Sequence, residues 1–120
     1  MSVRTYLRLP INADEGFPQA FRVNVGRGTY RLSFYVNVLE SDQPGPKDLY
    51  ELPEQGAFLV MRVVRDAATP AVIFQRRLVR DLEYEAGGLA FVFRRMLVAR
   101  RNLNGVGAFG SEVVGGVAER

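Results

Sequence analysis

A chain of 120 residues that lacks both His and Cys has a short list of groups able to do chemistry. Imidazole bases, thiolate nucleophiles, disulfides and nearly every zinc, copper or haem site are removed at once. Carboxylates remain, in local groups: Asp14 beside Glu15, and Asp81, Glu83 and Glu85 at alternate positions. Acid–base work on a glycosidic bond needs two carboxylates facing each other across a cleft. Asp81, Glu83 and Glu85 share one parity, opposite Leu82 and Tyr84, so in an extended chain they line a single solvated face. No run of oxygen ligands has the spacing of a calcium loop. The expectation is a protein that is not an enzyme, with no catalytic residues, no metal ligands and no cofactor.

Glycines could instead cradle a phosphate. Gly26-Arg27-Gly28 sits between two alternating apolar runs, without the following helix whose N-terminus completes a dinucleotide or P-loop site. Gly105, Gly107 and Gly110 are not followed by the Lys-Ser/Thr of a P-loop. Both groups read as turn and tail glycines.

The basic residues are the third resource. Net charge is +3 and the sequence pI about 9.7, yet fifteen of the sixteen basic residues are Arg, with Lys47 alone as Lys. A guanidinium binds carboxylates through a planar fork and is less strongly hydrated than an ammonium, and Arg is enriched in protein interfaces where Lys is depleted. A GC-rich genome would raise the Arg share by codon usage as well. Arginine pairs set inside strands need carboxylate partners if buried, and Asp81, Glu83 and Glu85 are the candidates. A single-stranded nucleic-acid binder is the rival class, since small β barrels use basic grooves with aromatic platforms. Arg22, Arg31 and Tyr35 would serve it, with Arg76, Arg77, Arg94 and Arg95 in later strands. Interspersed acids and the missing lysines put this reading second.

The elements that must carry these groups are strands. Residues 20–39 alternate Phe21, Val23 and Val25 with polar residues, break at Gly26-Arg27-Gly28, and resume with Tyr30, Leu32, Phe34, Val36 and Val38. This period of two, folded back at glycines, specifies an antiparallel hairpin. Residues 3–9 suggest a short edge strand guarded by Arg4 and Arg8. Residues 57–65 and 71–79 are apolar on both parities, which predicts strands covered on both faces by a second sheet or another subunit. Residues 89–99 form the last strong strand, because Phe91, Val92 and Phe93 in succession favour strand over helix. Residues 40–55 read as a long loop anchored by Leu49, Tyr50 and Leu52.

The predicted fold is therefore all-β and mostly antiparallel, a single-domain barrel or sandwich over residues 1–101. Residues 102–120 hold five glycines and scattered apolar residues, and read as a C-terminal extension that clasps a neighbouring chain. No apolar run reaches the roughly 18 residues of a membrane span, and the N-terminus lacks a signal peptide's apolar centre. A soluble protein made in a cytoplasm is expected.

The pattern F-x-V-x-V followed by Y-x-L-x-x-x-x-N, carried here by Phe21, Val23, Val25, Tyr30, Leu32 and Asn37, resembles the small baseplate plug or hub-associated (ripcord-like) β proteins of contractile-tailed bacteriophages. The resemblance spans residues 3–99, and the tail from 102 departs from it. It implies a structural virion subunit, made in the host cytoplasm, arranged as a homo-oligomeric ring about the tail axis. Such a subunit would bridge tail tube, sheath end and baseplate hub, with other tail and baseplate proteins as partners and no membrane. Interface residues expected on this reading are Leu49, Tyr50, Arg76, Arg77, Arg94, Arg95, Leu103, Phe109, Val113 and Val114.

Overall fold

The computed structural model describes residues 5–38, 48–54, 56–103 and 105–120. Its centre is the hairpin of strands β2 (Gln19–Val25) and β3 (Gly28–Val38). Val25 pairs with Gly28, so the turn holds only Gly26 and Arg27, and Gly26 takes a positive φ of 59°. Glycine at the first turn position with positive φ is the geometry whose twist matches the flanking strands. Along β3, Tyr30, Leu32 and Phe34 are buried while Arg31 is exposed, so the sequence alternation has become a burial alternation.

Seven further strands complete two sheets among the described residues: β1 (Leu7–Arg8), β4 (Leu49–Glu51), β5 (Ala57–Arg65), β6 (Ala71–Arg77), β7 (Glu83–Ala86), β8 (Leu89–Ala99) and β9 (Glu112–Glu119). One sheet runs β2-β3-β5-β6; the other runs β1-β9-β8-β4, with β7 also paired to β8. Every pairing between these strands is antiparallel. The protein is an all-β antiparallel sandwich, and the two sheets do not close into a barrel. Aromatic rings bridge the layers. Phe34 of β3 meets Phe93 of β8 edge-on at 5.9 Å, and Phe74 of β6 meets Tyr84 of β7 at 5.7 Å. Edge-to-face geometry aligns a positive ring edge with a negative face and adds to the burial of the rings themselves.

The largest correction concerns the C-terminus. Residues 112–119 are not an arm reaching for a neighbour but strand β9, hydrogen-bonded between β1 and β8 of the same chain. Val113 and Val117 are core residues. The glycines that suggest a tail are packing notches. Gly115 lies opposite Phe93, and a Cβ there would stand 2.5 Å from the buried ring; at Gly116 it would stand 2.8 Å from Tyr6 Cβ. A strand glycine that marks the close approach of another group is a known positional use.

The stretch between β8 and β9 is organised by Asn102, the one buried polar side chain among the described residues. Its Nδ2 donates to the carbonyls of Gly105 (3.3 Å) and Gly107 (3.1 Å), and its Oδ1 accepts from the Ser111 hydroxyl (2.5 Å). Its own backbone carbonyl accepts from Phe17 N–H at 2.7 Å. Asn102→Ala removes three side-chain bonds and leaves the Gly105 and Gly107 carbonyls without their donor, so unfolding free energy should fall by about 2 kcal/mol. Urea titration followed by circular dichroism reads that loss; an unchanged midpoint would mean that water replaces the amide.

Strand β6 also departs from expectation. Its apolar residues on both parities predict cover on both faces, but Val72 is 49% exposed and only Ile73 and Phe74 are half-buried. Nothing pairs with it on the side away from β5 among the described residues, so β6 is an edge.

Candidate interaction surfaces

The paired arginines are resolved by local backbone geometry. In Phe93-Arg94-Arg95-Met96 the register with β9 shifts, Phe93 facing Gly115 and Arg95 facing Val114. This bulge inserts Arg94 as an extra residue, so both arginines face solvent while Phe93 and Met96 both enter the core. Arg94 binds Asp81 at 2.9 Å, one of the carboxylates expected for it, and Arg95 binds Glu112 at 3.3 Å, which was not. All four side chains are more than half exposed, so these pairs contribute little to stability.

Other expected interface residues scatter. Tyr50 is buried against β8, which fits an anchor and makes it no interface residue, whereas Leu49 is 40% exposed. Most of the expected loop lies outside the described residues. Leu103 is half-buried beside Phe17. Phe109 is 38% exposed, with the Arg101 guanidinium 5.6 Å from its ring centre. Val113 is core, hence no interface residue, and half-buried Val114 neighbours Arg95 on the outer face. These positions do not form one patch.

A patch does form on the outer face of the β2-β3-β5-β6 sheet. The registers place Arg22, Arg31, Val64 and Val72 in one row, Ala20, Ser33, Arg62 and Gln75 in the next, and Tyr35, Val60 and Arg77 in a third. Arg22, Arg31, Arg62 and Arg77 are all exposed. Among the described residues the one carboxylate paired with them is Asp66, 3.3 Å from Arg22 Nε. Both aromatics on this face are engaged: the Arg77 guanidinium lies 4.4 Å from the Phe58 ring centre, and Gln75 Nε2 donates to the Tyr35 hydroxyl at 3.1 Å. Arg76 has the opposite parity to Arg77 and lines the seam between the sheets.

That seam is an open cleft of about 560 Å³, with Ile73, Phe74 and Arg76 on the β6 side and Leu82, Glu83 and Tyr84 on the β7 side. Glu83 accepts a hydrogen bond from the Tyr6 hydroxyl, and Glu85 holds Arg120 at 3.2 Å. The two carboxylates stand on an exposed strand face, as the parity argument required. Among the described residues no group of three or more acidic side chains could hold a metal ion, and no helix is long and apolar enough to cross a membrane.

Two strand edges of this sheet are free among the described residues. Leu78 N–H donates to Leu59 O at 2.8 Å, so the antiparallel alternation turns the bonding groups of Phe74 and Arg76 toward β5 and those of Gln75 and Arg77 away from it; the Arg77 carbonyl on that side accepts from the Tyr84 hydroxyl at 3.4 Å. On β2, the closing pair Val25–Gly28 sets Val23 and Phe21 to bond β3, leaving Ala20, Arg22 and Asn24 with outward bonding groups. Both edges are seven residues long. Comparison with protein-family models, curated proteins and solved structures finds no match.

Proposed function

We propose that this chain is a structural assembly subunit of a bacteriophage tail or baseplate, or of a related contractile machine, set in a ring and bridging tail tube to baseplate hub. The observation that carries the reading is the pair of seven-residue edges on one four-stranded sheet to which no strand pairs among the described residues. Unpaired N–H and C=O rows are templates for another strand, and isolated proteins usually blunt them. With four strands alternating in direction, β6 of one copy set against β2 of the next continues the antiparallel order. The two edges differ, so the contact is head-to-tail, and such contacts generate rings or tubes. The β6 edge does carry two features that blunt indiscriminate pairing, the inward Arg76 and the bulge at Ile73, so only a strand shaped to fit them adds there.

Gln75→Pro tests the edge. Proline there deletes an N–H directed at solvent and no bond to β5, so the fold should survive. Sedimentation velocity over a concentration series should show the wild type as a ring-sized oligomer and the variant at least tenfold weaker in association. A wild type that stays monomeric at every concentration sinks the head-to-tail ring. The rival, nucleic-acid reading draws on the arginine face, but Phe58 is covered by Arg77 and offers no free stacking platform.

A further inference from the structure

Charge is distributed unequally between the two outer faces. On the sheet that contains β8, Arg80 binds Glu51, Arg94 binds Asp81, Arg95 binds Glu112 and Arg120 binds Glu85. The opposite face holds Arg22, Arg31, Arg62 and Arg77 against Asp66 alone among the described residues. Arg22 stands directly across from Arg31, and like charges in that relation are unfavourable for the isolated sheet.

From this we infer that the outer face of the β2-β3-β5-β6 sheet docks a carboxylate-bearing surface of a different protein. The inference rests on the assembly reading in taking the occupant to be a protein. Three observations choose that occupant. First, the arginines are interleaved with Val64 and the 49% exposed Val72, so the face offers apolar contact between charges. Apolar contact with Arg, and without Lys, is the composition of a protein interface. Second, the Arg77 guanidinium lies over Phe58, which leaves Tyr35, its hydroxyl held by Gln75, as the one ring on this face still open to a base among the described residues, whereas single-strand sites stack successive bases on several rings. Third, a second copy is a poor match, because the carboxylates of its other face are held by its own arginines and by Tyr6.

The geometry also sets the spacing the partner must offer. Arg22 and Arg31 stand about 5 Å apart across the strands, and the Arg22–Arg31 row lies about 7 Å from the row of Arg62, two residues along. Carboxylates on an acidic strand or sheet face have the same repeats. Guanidinium forks could engage them bidentately.

The test uses the full chain, with poly-L-glutamate as the acidic probe and a 20-residue oligothymidylate as the nucleic-acid probe. Amide chemical shifts are followed at low and at moderate salt. Poly-L-glutamate should move the amides of Arg22, Arg31, Arg62 and Arg77 far more than those of Arg94 and Arg95. The double variant Arg31→Glu/Arg62→Glu should bind it at least tenfold more weakly with an unchanged melting temperature. If charge reversal disturbs folding, Arg31→Gln/Arg62→Gln should show a smaller loss in the same direction. Tighter binding of the oligothymidylate overturns the inference in favour of nucleic acid and removes the assembly reading with it. No response to either probe, or an equal response on the other face, overturns this inference alone, since ring formation is read separately by sedimentation.

Discussion

Deleting residues 103–120 should abolish cooperative folding, not just assembly. The deletion removes β9, which sits between β1 and β8 and supplies eight ladder pairs to β8. It strips Val113 and Val117 from the core and uncovers the flank of Phe91, Phe93 and Met96, each fully buried. Burial of each such side chain is worth roughly 1.5–3 kcal/mol, so the combined loss is comparable with the whole of the roughly 5–15 kcal/mol that a domain holds in total. The short strand β1 would go too, because β9 is its only strand partner among the described residues. Far-ultraviolet circular dichroism and a thermal scan decide it. A truncated chain that melts cooperatively near the wild-type temperature would mean that β8 finds another partner.

Where sequence and structure agree, the signal is periodic. The hairpin of β2 and β3 was legible because a period of two and a glycine turn are local properties. Strand β8 was legible because three successive large apolar residues, Phe91, Val92 and Phe93, suit a buried strand. Strand β9 was not legible. Its Glu-Val-Val-Gly-Gly-Val-Ala-Glu run has half the apolar weight of β8, and its glycines signal disorder when read without Phe93 and Tyr6 above them. Nor could sequence distinguish the arginine pairs. Arg94 and Arg95 look like buried charges until the bulge turns both outward, and Arg76 and Arg77 look alike until an edge strand sends them to opposite faces.

The arginine face was half legible. Arg22, Arg31 and Tyr35 share a hairpin and were visible together. Arg62 was missed, since placing it beside Ser33 needs the long-range register of β3 with β5. Charge segregation between the sheets is a property of topology, because it depends on which carboxylate lies beside which arginine across strands far apart in sequence.

The second large effect concerns the notch under Phe93, and a double-mutant cycle separates notch from mere burial. Phe93→Ala should cost about 3–5 kcal/mol, since a fully buried ring in contact with Phe34 is replaced by a cavity. Gly115→Ala should cost about 1–3 kcal/mol, because its methyl would stand 2.5 Å from a ring that the core holds in place. If the two residues form one packing unit, the costs do not add. With the ring gone, the methyl introduced by Gly115→Ala enters space that Phe93 vacated, so the double variant should be less destabilised than the sum of the singles by about 1 kcal/mol or more. Chemical denaturation of the four proteins supplies the coupling term. Strict additivity would show that Gly115 is needed for its backbone and not for the room it leaves. Coupling of the expected sign explains why a strand at the centre of a sheet carries glycine, and why that strand is misread as a tail.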